Sequence, residues 1–554
     1  MKTIVFLYAG AKSSRLTEKS FDSSSALDRS LVWAGAVDAV QSVYIMTVPE
    51  KEKAVRDAVA LFQNKNAALP VDISVKVSWT NALLLHELSA VTAKAGVDFA
   101  VYASADCPFL DVDLTREVVA SHVKYLAEYT FADGWPFGFA PEVIGTGALA
   151  ILASLADGVQ KVAGDAAVSK AGIFSVMKGD VNSFEIETVI APKDWRQLRL
   201  DFSCTEKASF VACKRLFDEA VRQSIPFTAR TLTEFAENDL SIQQTVPAFY
   251  NVQIEAACPV SCKYCPYPVV CRDKYGVSPQ SVISTSSFAK DMNLGVFTGL
   301  VSQMVSLSDT AVVGVGAWGE PLLHPQFVDF AAAVLRNPSL SLLVETDGTQ
   351  LTALVAQKVA ALVKEAPVRT CSQPAVTWII SIDAVDEQKY NVLHSGSAGG
   401  SFEKSSFKKA IEAVSLLETY FPGDVYPQFL RVNENEDQLE QFYRFWHDKE
   451  SPSKGKLIIQ KYDSFCKKLS DEKPADLAPL DRIPCWHIKR DMTILIDGSV
   501  PYCREQLFDG IVGNAFSEGI ESVWASFKTV AAQHLNKTYN DKCRICDEYY
   551  TFNF

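Results

Sequence analysis

The chain has 554 residues, of which 48% are hydrophobic and 21% charged; this is the composition of a globular protein, and the length predicts three or four domains rather than one core. Its 53 basic and 66 acidic side chains leave a net charge of −13, which speaks against a nucleic-acid partner, because gripping a phosphate backbone needs a basic face. No apolar run approaches the ~18–20 residues that cross a bilayer, so no membrane partner is expected.

The opening MKTIVFLYAGA has the outline of a signal peptide, but its apolar run is short and passes into KSSRL. We read it as a buried first strand entering a loop. TIVFLYAG, SVYIMTV and DFAVYASAD are brief and β-rich, and each is closed by small or polar residues, as buried parallel strands are. With the helical stretch from Ala208 to Val221 they predict an α/β domain over residues 1–240.

From Val246 six apolar runs (NVQIEAA, AVVGVGAW, SLLVETDG, TWIISIDA, VYPQFLRV, KLIIQKY) alternate with amphipathic segments such as FVDFAAAVLRN and FKKAIEAVSLLETYF. Successive βα units of this kind, parallel and right-handed, curl toward a barrel with its chemistry at the carboxyl ends of the strands. This places a partial (β/α)6 barrel at residues 246–465. SPSKGK and SDEKPADLAPLD read as loop or linker. A small third domain over 480–554 holds TILIDGSVPYC, expected to be a hairpin turning at Asp497-Gly498, and the helix-like SVWASFKTVAAQHL.

Thirteen cysteines, odd in number and partly in C-x2-C spacing, suit metal ligation in a reducing compartment better than a disulfide framework, and we expect a cytoplasmic protein. Cys258, Cys262 and Cys265 stand as C-x3-C-x2-C in ACPVSCKYCPY, directly after the first barrel strand. A closed zinc site needs four ligands, whereas three thiolates on a four-iron cluster leave one iron open to a second molecule. A zinc knuckle with a distant fourth ligand is the alternative.

The motif C-x3-C-x-aromatic-C at the end of a first barrel strand resembles the signature of the radical S-adenosylmethionine (SAM) enzymes. The resemblance implies a [4Fe–4S] cluster on Cys258, Cys262 and Cys265, with SAM on the open iron. One electron then cleaves SAM to methionine and a 5′-deoxyadenosyl radical, which takes a substrate hydrogen. Other stretches follow in the family's order. GAWGEPLLHP resembles the Gly-Gly-Glu region that binds the SAM amino group, with Gly319 and Glu320 kept and Trp318 in place of the first glycine. VETDGT resembles a Thr-Asn-Gly turn with Asp347 for asparagine. The same resemblance makes Tyr264, Ser381, Asp383, Gln428 and Arg431 cofactor-binding candidates, arginine suiting a carboxylate through its two-pronged fork.

Cys485, Cys503, Cys543 and Cys546 offer four more thiols, sufficient for zinc or a complete cluster. Beside a radical SAM barrel they resemble a SPASM-type domain. Seven cysteines would serve two clusters, but only eight residues follow Cys546, so one auxiliary [4Fe–4S] cluster is expected. Cys271 and Cys466 are placed near the barrel mouth as candidate substrate contacts; His324 and His487 are read as structural.

In the first domain YAGAKSSRL and SADCPFLD resemble the phosphate loop and metal-binding segment of the cytidylyltransferases, a sugar nucleotidyltransferase family. This makes Arg15 and Asp106 candidate nucleotide contacts. The second metal aspartate of that family falls on Ser203, with Asp201 displaced by two, and the Pro-Lys after the loop is missing, so the domain reads as degenerate. The whole order resembles the spiro-SPASM group. The resemblance implies a radical SAM enzyme acting on a peptide or protein, with an electron donor such as flavodoxin or ferredoxin. Two alternatives stand: a sugar or sugar-nucleotide substrate handled by the first domain, and a zinc-stabilised binding protein without catalysis.

Overall fold

The apolar opening of the chain forms β1 (Thr3–Ala9), buried along its whole length. This computed structural model describes residues 2–279, 289–371, 373–394, 406–474, 479, 481–507 and 509–551, and it divides into two units, Met1–Thr245 and Val246–Phe554.

In the first unit β1 is followed by β2 (Val40–Thr47), β3 (Val71–Val75), β4 (Phe99–Ser104), β5 (Tyr129–Asp133), β6 (Glu142–Gly145) and β7 (Ile186–Ile190). They form one sheet in the order β3-β2-β1-β4-β6-β5-β7. The β1–β2, β2–β3 and β1–β4 pairs are parallel, and β6 runs antiparallel to both β4 and β5. Burial on both faces is what lets β1 read as an unbroken apolar run. The predicted closing helix spans Lys207–Gln223 and buries Phe210, Cys213, Leu216, Phe217 and Ala220, a stripe at helical spacing.

The second unit holds β8 (Phe249–Val252), β9 (Ala311–Gly314), β10 (Leu340–Thr346), β11 (Val376–Ser381), β12 (Val425–Leu430) and β13 (Ile458–Gln460). These lie side by side in chain order, and every adjacent pair is parallel. Helices over Leu294–Ser308, Phe327–Leu335, Ala353–Glu365, Ser406–Tyr420 and Leu439–His447 fall between them. Local chemistry starts them: Asn293 caps the first through the amides of Gly295 and Val296, and Thr352 caps the third through Val355. In the core Trp378 of β11 packs against Phe327 and Phe421, with ring centres 6.2 and 5.6 Å away.

The C-terminal section departs from expectation. The turn at Asp497-Gly498 is present, with Gly498 at φ +83 and the Leu495 amide donating to the Ser499 carbonyl. Its two arms do not pair as one hairpin, however. β14 (Asp491–Ile494) lies parallel to β8 and extends the barrel sheet to seven strands. β15 (Ser499–Pro501) pairs instead with β16 (Ile511–Asn514). The reason is burial: Met492 and Ile494 are fully enclosed, and the free edge of β8 satisfies their backbone and covers their side chains together.

Candidate active site and metal centres

Parallel strands expose their last residues to the loops that follow, so one end of such a sheet collects chemistry from every strand. Here a cavity of about 1140 Å³, counted with its open mouth, is lined by Gly319 and Glu320 after β9, Thr346 of β10, Ser381 of β11, Gln428 of β12 and Gln460 of β13. Cys258, Cys262, Tyr264 and Cys265 line it from the loop that follows β8.

Backbone bonds fix that loop. Ser261 and Lys263 donate to the carbonyls of His394 and Leu393, and Cys265 donates to Cys262. All three thiols stand free of disulfides. Burial raises the Cys258 thiol well above its usual range and that of Cys265 to about 12, with Cys262 adding in both cases. Desolvated, mutually repelling sulfurs are what a bound cation relieves, since a coordinated thiol is held deprotonated.

On the opposite wall Trp318 (φ +47) and Gly319 (φ +131) turn the chain so that the Glu320 amide donates to the Ala257 carbonyl, one residue before Cys258. The Glu320 carboxylate is 2% exposed and accepts from the Thr346 hydroxyl (2.7 Å) and the amides of Asp347 and Leu322 (3.0 Å each). Burial, then the charge of Asp347, raises Glu320 to about 8. Asp347 is raised as well, by burial, and its Oδ2 is enclosed without a hydrogen-bond partner. Two desolvated carboxylates, one with an unpartnered oxygen, make this wall a seat for a cationic group.

These shifts set a pH dependence. A carboxyl with its folded pKa above its unfolded value keeps an extra proton in the folded state between the two, so stability is highest below about 4.5 and falls as pH rises toward about 8. The melting temperature of the metal-free chain should therefore drop between pH 5 and pH 8. Glu320→Gln should remove at least about 1.4 kcal/mol of that loss, the equivalent of one pKa unit. An unchanged slope in the variant would count against the buried, proton-holding carboxyl.

Asp383 and Arg431 do not line the cavity. The Asp383 carboxylate accepts from the Tyr264 hydroxyl and the Leu430 amide, both at 2.6 Å, and so orients Tyr264 rather than facing a ligand. The Arg431 guanidinium binds both oxygens of Glu436, at 3.1 and 2.6 Å. Residues three apart on a strand point to opposite faces, so with Gln428 and Leu430 turned to the cavity, Arg431 points away. His394 had no signal in the sequence. It is fully buried, with Nδ1 3.4 Å from the Cys262 sulfur and Nε2 3.4 Å from Asp383. Burial alone would depress it, but the charge of Cys262 and the bonds to Asp383 and Cys262 hold it up at about 10.

A second cavity of about 320 Å³ is lined by Cys485, Cys503, Cys543 and Cys546. The Cys485 amide donates to His534 Nδ1 (3.2 Å), and Asn540 caps the short helix that carries Cys543. Gln506 Nε2 reaches the Cys543 sulfur (3.7 Å), and the Glu548 amide reaches that of Cys546 (3.3 Å). Burial raises the Cys485 and Cys503 thiols and takes Cys543 to about 11. Cys466 lines this second cavity, not the first. Cys271 is buried beside Tyr267 and Trp318 and lines neither. His324 is structural: Nε2 meets the Met292 carbonyl, and Nδ1 accepts from the Gln326 amide. His487 pairs through Nδ1 with Asp491 (2.7 Å) on the rim of the second cavity.

The spacing of the thiols bears on the metal. Among the described residues, the group of three or more candidate ligands whose atoms all fall within 4.8 Å of one another is Asp463, Asp547 and Glu548, with no three thiols so close. Zinc–sulfur bonds of ~2.3 Å in a tetrahedron put ligand sulfurs within about 4 Å of one another. The wider arrangement fits a polynuclear cluster at both cavities.

In the first unit Asp106 is 2% exposed, and its carboxylate oxygens accept from the hydroxyls of Ser104 and Thr205, each at 2.7 Å. Asp201 binds Lys170 (3.0 Å) and the Ser203 amide (2.9 Å). Both acids are thus engaged within the chain. Arg15 lies over the Phe210 ring, 5.4 Å from its centre. A buried lysine, Lys51, donates to the carbonyls of Ala11 and Ser14 in the YAGAKSSRL loop, and burial lowers it to about 8.

Residues 485–547 match the family model of the SPASM iron–sulfur cluster-binding domain. A structure of Streptococcus suis SuiB bound to precursor peptide SuiA is similar over 61% of this chain and 74% of its own (11% identity, TM-score 0.36). A cytidylyltransferase from Leptospira borgpetersenii serovar Hardjo-bovis is similar over 44% of this chain and 96% of its own (16% identity, TM-score 0.34). Among the described residues no helix is long and apolar enough to cross a membrane. An uncharacterized protein of Treponema pallidum (strain Nichols) is 35% identical over 384 residues, 69% of this chain and 98% of the relative. At that identity and coverage the chain belongs to one family with the Treponema pallidum protein, and it carries a SPASM iron–sulfur cluster-binding domain at residues 485–547.

Proposed function

We propose that the chain is a radical SAM enzyme: a [4Fe–4S] cluster held by Cys258, Cys262 and Cys265, an auxiliary cluster held by cysteines of the SPASM domain, and SAM in the first cavity. The observation that carries this reading is three thiols gathered over the carboxyl ends of parallel strands, each of which adds a polar residue to the same cavity. The chemistry supplied by the bound cluster and SAM is one-electron cleavage to a carbon radical. The chain's own part is binding and exclusion. Glu320 and the unpartnered Asp347 oxygen face a cation, Ser381 and Gln428 offer hydrogen bonds, and Tyr264, held by Asp383, closes the wall beside the cysteines.

The rest of the lining favours a substrate with an amino group, as a peptide or protein carries. Glu345, Asp463, Glu505 and Glu548 are set there with Arg504 as the cation among them, and Asp463 is raised well above the carboxylate range by burial and then by Glu505 and Glu548. A second positive charge at that wall relieves the repulsion. A sugar nucleotide, bearing phosphates, meets the wrong sign.

Anaerobic reconstitution should load about eight irons per chain and give 5′-deoxyadenosine from SAM under dithionite. With deuterated cell extract the label should enter 5′-deoxyadenosine from the peptide fraction. Zinc in place of iron, or intact SAM, would end the proposal; label drawn only from the sugar-nucleotide fraction would reverse the choice of substrate.

A further inference from the structure

Four thiols complete a four-iron cluster, and the second cavity has five. Cys466 reaches it from the loop after β13, where three successive residues, Phe465, Cys466 and Lys467, hold left-handed backbone (φ +49, +54 and +65). L-residues avoid that region singly and rarely adopt it in a row. The result is that neighbouring side chains part: Phe465 lines the first cavity and Cys466 the second. Cys466 is 5% exposed, and its thiol and that of Cys546 hydrogen-bond with each other. Strain of this kind persists where the surrounding structure over-determines it, commonly at functional sites.

Two sulfurs in hydrogen-bond contact address one corner of a metal centre, not two. We infer that Cys466 and Cys546 are interchangeable ligands of the same metal ion in the C-terminal centre, Cys485, Cys503 and Cys543 holding the other corners. The exchange is balanced without any change of oxidation state. One iron–sulfur bond to Cys546 breaks as one to Cys466 forms, and the proton of the entering thiol passes along their mutual hydrogen bond to the leaving thiolate. The site then keeps its ligand count when either thiol is lost.

This inference rests on the auxiliary cluster proposed above, and its test separates the two. The full-length chain with Cys258, Cys262 and Cys265 all replaced by alanine isolates the C-terminal centre, and its metal identity is measured first. Zinc there would refute the auxiliary cluster, while the exchange would still be read from zinc retention. Cys466→Ala and Cys546→Ala should each keep about four irons per chain, and the double variant should lose them roughly tenfold or more. Far-ultraviolet circular dichroism of each variant reports folding. Loss of metal from either single variant with dichroism retained, or its retention in the double variant, overturns the inference. An independent readout needs only the mildest change. The reduced centre with both thiols present should give two overlapping electron paramagnetic resonance spectra, and Cys466→Ala should leave one. A single unchanged spectrum in both overturns it equally.

Discussion

Cys262→Ala should abolish SAM cleavage under dithionite, a fall of at least about a thousandfold, and should lower the iron content from about eight to about four per chain. The size of the effect follows from the absence of slack. The first cavity has three thiols and no spare, so removing one leaves an iron without its protein ligand. Cys262 is also the sulfur that His394 addresses at 3.4 Å, and neighbours hydrogen-bonded to a ligand orient it and tune its metal. The iron that remains should belong to the C-terminal centre, whose thiols line a separate cavity. Measuring iron, sulfide and 5′-deoxyadenosine on one preparation checks both halves. Full cleavage activity in the variant would overturn the reading of the three thiols.

Gly319→Ala should destabilise the second unit by about 3 kcal/mol or more, lowering its melting temperature by roughly 6–12 °C, and should weaken SAM binding with it. Gly319 sits at φ +131, and a Cβ there would lie 2.0 Å from the Glu255 carbonyl oxygen and 2.9 Å from its carbon. Those atoms are backbone and cannot rotate away. The displaced strand end, Glu255 to Ala257, leads directly into Cys258, so the strain reaches the cysteine loop. Gly299→Ala is the matched control. Gly299 is inside the helix Leu294–Ser308 with nothing within 4 Å of an added methyl, and the change should be neutral or stabilise by up to about 1 kcal/mol. Equal melting shifts for the two variants would show that close approach at Gly319 is not what fixes this turn.

The sequence by itself determined the features that follow from short-range chemistry. Apolar runs bounded by small and polar residues identify β1, β10 and β11, because strands covered on both faces must be apolar along their whole length. The three cysteines after β8 needed only their spacing, and the motifs at the ends of β9, β10 and β11 only their order along the chain. Glycine at 319 was legible for the same local reason: its backbone angle excludes other residues.

What tertiary structure alone decided is every pairing between distant segments. TILI in the C-terminal section has the pattern of a hairpin arm, and its choice of β8 depends on a free edge some 240 residues earlier, which no local pattern encodes. Arg431 was misplaced by strand parity, since its position relative to Gln428 has meaning only once β12 is known to be regular. His394 and Cys466 carry no motif. One comes to Cys262 across 132 positions, and the other is turned by its left-handed backbone away from the barrel cavity to the C-terminal thiols. Metal sites and buried polar clusters are assembled from such long-range approaches, and their geometry exists only when the core that holds them apart or together has formed.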